Sequence, residues 1–80
     1  MTRIQFFGRI SEPMGTAVSF DIPGDGMSIC QLRGRLAETH ACDDLREPSI
    51  RAAINDEIVD DMQIVSPGDD VSFFSPLSGG

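Results

Sequence analysis

Residues 28–36 read SICQLRGRL, and the fold turns on them. Ser28 and Gln31 stand three apart, the spacing of a capping box, in which a hydroxyl and a longer side chain satisfy free backbone amides at a helix start. Met27 and Leu32 are placed for the hydrophobic staple that accompanies such a box. Ile29, Leu32 and Leu36 follow at helical spacing and form one narrow apolar stripe. Arg33 lies near the edge of the stripe, where it is expected to lay its stem on the core and keep its charge in water. Gly34 weakens the segment by up to about 1 kcal/mol relative to Ala.

The flanking segments alternate instead. In residues 3–10, RIQFFGRI, Ile4, Phe6 and Ile10 fall on one side and Gln5, Phe7 and Arg9 on the other, the pattern of a half-buried strand. SEPMGT, with Pro13 and Gly15, reads as a turn, and residues 17–22 alternate again with Val18, Phe20 and Ile22 on one face. The two make a hairpin. PGDG at 23–26 breaks the chain before the helix, and residues 41–48 are polar and end on Pro48. Residues 50–55, IRAAIN, read as a third strand with Ile50, Ala52 and Ile54 inward. After a turn at Asn55-Asp56-Glu57, IVDD begins a short fourth strand. A second turn, PGDD at 67–70, leads to VSFFSP, with Val71 and Phe73 on one face and Ser72 and Phe74 on the other.

The order is therefore ββαβ(β)β. One helix cannot cover both faces of a sheet, so it crosses one face and leaves the other solvated. An α+β, mixed sheet with its first and last strands central and parallel, and one main helix on one face, is the β-grasp or ubiquitin-like arrangement. Residues 1–76 are expected to form this domain and residues 77–80 a flexible C-terminal tail ending in Gly-Gly.

Composition narrows the functional classes. Eighty residues with 40% hydrophobic content can pack one core without metals or disulfides. No apolar run approaches the roughly 18 residues that span a membrane, and MTRIQFF makes a poor signal peptide. Cys30 and Cys42, twelve apart around a lone His40, lack the number and spacing of metal ligands. Two thiols in an acidic chain without a signal point to a reducing cytoplasm. The net charge of -7 lies wholly in residues 41–80, which hold nine acids against Arg46 and Arg51. An acidic excess disfavours nucleic acid. It suits either solubility or docking on a basic protein surface. All six basic residues are Arg, so the chain has no Lys. No nucleophile triad or phosphate loop is present in the sequence, since PGDG is too short and acidic to cradle phosphate.

IQFFGRISEPMGT, INDEIVDD and above all PGDDVSFFSPLSGG resemble the MoaD branch of the MoaD/ThiS ubiquitin-like sulfur carriers, the small subunits of molybdopterin synthase. The resemblance covers essentially the whole chain. Ser75 departs from it, standing where a second Pro is common, and residues 41–48 match nothing in the pattern. The resemblance implies a cytoplasmic carrier that is not itself an enzyme and binds no cofactor or metal. An ubiquitin-activating-like adenylyltransferase would use ATP to adenylate Gly80, and a persulfide source would convert it to a thiocarboxylate. Leu77, Ser78, Gly79 and Gly80 would enter the large synthase subunit, in an expected heterotetramer, and sulfur would pass to cyclic pyranopterin monophosphate.

The chemistry of the terminus is consistent with that role. A carboxylate is a poor electrophile until it gains a leaving group, and glycines without Cβ let tunnel-wall donors approach closely. Four residues extend about 13 Å at roughly 3.3 Å each. For partner contact the sequence offers Phe7, Phe74 and Pro76 as an apolar face, because adjacent exposed aromatics form a patch that needs covering. It offers Asp60 and Asp61 for charge steering. Other readings are a carrier for thiazole or tRNA thiolation, a protein modifier joined through Gly80, and a plain interaction module. The absence of Lys leaves the modifier no side chain of its own for chain building.

Overall fold

The computed structural model describes residues 2–75. Strand β1 (Thr2–Phe7) leads through a 3-10 turn (Gly8–Ile10) and a one-turn helix α1 (Ser11–Met14) to β2 (Ala17–Phe20). A two-residue strand β3 (Met27–Ser28) opens directly into the main helix α2 (Ile29–Thr39). A second 3-10 turn (Asp43–Arg46) precedes β4 (Arg51–Ile54), β5 (Glu57–Val59), β6 (Ile64–Val65) and β7 (Val71–Phe74). The five-stranded sheet has the order β2-β1-β7-β4-β5, with β1 and β7 central and parallel and the other pairs antiparallel. β3 and β6 form a separate antiparallel pair. This is the expected β-grasp fold.

Helix α2 begins where the local chemistry places it. Gln31 N–H donates to Ser28 Oγ at 3.1 Å, and Ser28 N–H donates to Gln31 Oε1 at 3.0 Å. Ile29, Leu32 and Leu36 are fully buried against Ile4, Phe6, Val71 and Phe73 of the sheet's inner face, and Met27 packs at the margin of this core. The rings of Phe6 and Phe73 stack with centroids 6.0 Å apart, locking the two central strands together on their inner side. Asn55 and Asp56, both at positive φ, make the two-residue turn between β4 and β5. Paired left-handed residues match the twist of a tight hairpin, and Asn and Asp tolerate them.

Four expectations are corrected. β1 stops at Phe7 because Gly8, at φ 73°, turns the chain out of the strand. Ile10 is buried all the same, from a 3-10 turn. SEPMGT is not a simple turn: residues 11–14 are helical, closed by Gly15 N–H donating to Ser11 O. The polar segment 41–48 contains core residues, with Cys42 and Leu45 buried beneath α2. Arg33 does not keep its charge in water. Its guanidinium is buried, with Nη1 donating to Leu45 O (3.0 Å) and Glu47 O (3.2 Å) and Nη2 to Asp61 Oδ1 (2.9 Å). It also lies 5.5 Å from the centroid of the Phe73 ring. The reason is that Leu45 O faces inward where Pro48 has no N–H to offer it, and a buried acceptor needs a donor; Glu47 O, which also accepts from Ile50 N–H, is the second acceptor in reach.

Candidate functional site

The chain leaves the described fold from β7, the strand at the centre of the sheet. Strand alternation sends Val71 and Phe73 into the core and turns Ser72 and Phe74 to the uncovered face. The parallel register sets Phe7 of β1 beside Phe74, and the antiparallel register sets Arg51 of β4 on its other side. Phe7 is 52% exposed and Phe74 half-buried outside the core. One row further, Ser72 lies beside Ala53, which pairs with Ile58, and Ile58 is 65% exposed. Phe7, Phe74, Ala53 and Ile58 therefore make a diagonal apolar band across the sheet's uncovered face. Exposed Arg3 and Arg51 share that face.

The end of β7 is tied down. Ser75 N–H donates to Phe7 O at 3.4 Å, and Ile10 N–H donates to Ser75 Oγ at 3.3 Å. Gly8 lies against Ser75 so closely that a Cβ there would stand 3.0 Å from Ser75 Oγ and 3.2 Å from its carbonyl oxygen. The Ser11 hydroxyl, donating to Gly8 O at 2.7 Å, holds the 3-10 turn in place.

The acids of residues 56–70 divide between the two ends of the sheet. Asn55 N–H donates to Asp70 O and the Asn55 side chain to Asp69, so Asp56, Asp69 and Asp70 gather where β7 begins. Asp60 and Asp61 follow Val59, whose partner Ala52 is next to Arg51, so they lie at the end where β7 finishes. Both carry structural bonds: Asp60 Oδ1 accepts from Met62 N–H at 2.9 Å, and Asp61 pairs with Arg33. With Arg33, Arg46 and Arg51 they line a cleft of about 280 Å³ beside that end of the sheet. Within it Arg33 pairs with Asp61, and none of the lining residues is a nucleophile.

Phe7, Phe74, Asp60 and Asp61 are thus brought to one end of the sheet, with Phe7 and Phe74 in direct register. Pro76, Leu77, Ser78, Gly79 and Gly80 lie outside the described residues. Ile58 and Ala53 belong to the apolar band but were missed in the sequence. The signal was their place on the face opposite Ala52 and Val59, and for Ile58 the segment is too short to show which side faces the core. Among the described residues no three His, Cys, Asp or Glu side chains converge as a metal site. No helix among them is long and apolar enough to cross a membrane.

The sequence profile of the ThiS family matches residues 4–80. No curated protein shows significant sequence similarity to the chain. Among solved structures, SAMP1 from Haloferax volcanii superposes with a TM-score of 0.79 at 22% identity, covering 99% of this chain and 98% of its own. A Pyrococcus furiosus protein provisionally described as molybdopterin converting factor, subunit 1, gives 0.77 at 18% identity, covering 95% of this chain and 97% of its own. At these identities the likeness carries the fold.

Proposed function

The chain belongs to the ThiS family of ubiquitin-like sulfur carriers, and from that premise we propose that it delivers sulfur from a Gly80 thiocarboxylate to cyclic pyranopterin monophosphate in molybdopterin synthesis. The observation that carries the reading is the family match running to Gly80 together with a central strand that ends beside an uncovered apolar face. Activation on an ubiquitin-activating-like partner begins with attack of a Gly80 carboxylate oxygen on the α-phosphate of ATP, releasing pyrophosphate. A persulfide sulfur then attacks the acyl carbon and AMP leaves. A thiol then attacks the outer sulfur of the resulting acyl disulfide, breaking the S–S bond, forming a new disulfide and freeing the thiocarboxylate. The chain supplies the carried carboxyl group and a docking face, and its partners supply the catalytic groups.

In this reading Phe7, Phe74 and Pro76 seat the carrier on the large synthase subunit or on the activating enzyme. Asp60 and Asp61, at the same end of the sheet, face the rim of the partner's entrance. Leu77, Ser78, Gly79 and Gly80 reach into it. The test is reconstitution: thiocarboxylated chain, mixed with a large synthase subunit and cyclic pyranopterin monophosphate, should yield the dithiolene product, and Gly80 should return to the carboxylate. Retention of sulfur on Gly80 with no dithiolene formed would reject this acceptor.

A second reading follows from the Haloferax volcanii neighbour, a small archaeal modifier protein by description. A Gly80 acyl adenylate attacked by a lysine amine, rather than by sulfur, would give an isopeptide bond. Recovery of partner-protein peptides carrying the chain's C-terminal residues on lysine would favour that outcome.

A further inference from the structure

We propose that Ser75 is a positioning residue for the reaction at Gly80: clasped to Phe7 O and Ile10 N–H and seated against Gly8, it fixes where the reacting tail leaves the fold. The proposal rests on the carrier reading above. Just past the end of β7, Ser75 makes two bonds, its amide to the last carbonyl of β1 and its hydroxyl to Ile10 of the 3-10 turn that follows. That turn is itself shaped for the contact. Gly8 sits at φ 73°, where L side chains are strained, and an added Cβ would press on Ser75 from 3.0 Å. The turn is also continuous with Phe7, so the clasp couples the tail's root to the apolar docking band within one residue.

The consequence is a defined reach. Five residues follow Ser75, and they span at most about 17 Å when extended. A partner that docks on Phe7 and Phe74 finds Gly80 at a fixed maximum distance. Releasing the clasp lengthens the run between the anchor and Gly80 and dilutes the terminus at the reacting centre. Docking itself is left intact, so the loss falls on kcat and not on KM.

The experiment uses the full chain and the ubiquitin-activating-like adenylyltransferase that thiocarboxylates it, with thiocarboxylate formation followed by intact mass. Ser75→Ala should lower kcat about fivefold, the effect of one net hydrogen bond, with KM close to wild type and the thermal midpoint lower by no more than about 4–8 °C. Ser75→Thr, which restores the hydroxyl, should restore kcat. In the free protein, amide exchange at Ile10 should accelerate in Ser75→Ala and not in Ser75→Thr. Wild-type kcat in Ser75→Ala, or a loss that Thr does not rescue, overturns the proposal while Gly80 charging keeps the carrier reading intact. A wild-type chain that no such enzyme charges overturns the carrier reading, and the positioning role falls with it.

Discussion

Replacing Arg33 by Met should unfold the protein at markedly lower temperature, although Met is the better core residue by hydropathy. Arg33 is 7% exposed, and its guanidinium makes two bonds to backbone carbonyls, one to Asp61, and a contact with the Phe73 ring. Each carbonyl bond from a charged donor is worth about 1.5 kcal/mol at the low end. The ring contact adds about 1 kcal/mol. The Asp61 side chain is 49% exposed, so its pairing is discounted to under about 1 kcal/mol. Against these stands relief from burying a charge, including an Nε that is buried without a partner, which offsets about 2 kcal/mol of the total. The net loss is about 2–3 kcal/mol, or roughly 10–20 °C in midpoint for a domain of this size. Thermal and urea unfolding followed by circular dichroism should show it, with Arg33→Lys intermediate and Asp61→Asn the mildest. An Arg33→Met variant as stable as wild type would refute the reasoning and make the guanidinium replaceable by apolar packing.

Other outcomes can be checked alongside. Gly34→Ala should stabilise by about 0.5–1 kcal/mol, because its Cβ would meet only Arg46 Nη1, at 3.9 Å. Gly26→Ala should do the reverse by about 2 kcal/mol or more, since its Cβ would fall 2.6 Å from Ile64 Cγ2 and 2.8 Å from Val65 O at φ 85°; chemical unfolding of both variants decides. Phe74→Asp should leave the monomer folded and weaken binding to the activating enzyme or large subunit about tenfold or more, the worth of one buried aromatic. Titration calorimetry measures it, and unchanged affinity would remove Phe74 from the interface. Asp60→Asn keeps an acceptor for Met62 N–H and removes only charge, so stopped-flow binding should show a slower, less salt-dependent association with dissociation unchanged.

What could be read from the sequence followed the range of the interactions. The start of α2 was legible because Ser28 and Gln31 complete each other within one turn. The central pairing was legible because Ile4, Phe6, Val71 and Phe73 alternate cleanly. The end of β1 was not, because Ile10 is four residues from Phe6 and its burial satisfies a strand or a turn equally well. β3 and β6, two residues each, are too short to show any period. Arg33 was misplaced because its carbonyl partners lie 12 and 14 residues away, in a segment whose polar composition concealed Cys42 and Leu45. At the site, the Phe7–Phe74 adjacency was legible from alternation plus a parallel central pair. The Ser75 clasp was not, because it depends on the turn at Gly8.

The central claim concerns one carboxyl group. The full chain, purified with its activating partner and ATP and a persulfide source, should show by intact mass a species heavier by one oxygen-to-sulfur exchange, and fragmentation should localise the sulfur to Gly80. An unmodified Gly80 carboxylate under conditions in which the partner consumes ATP, or sulfur found on Cys30 or Cys42 instead, would contradict the account.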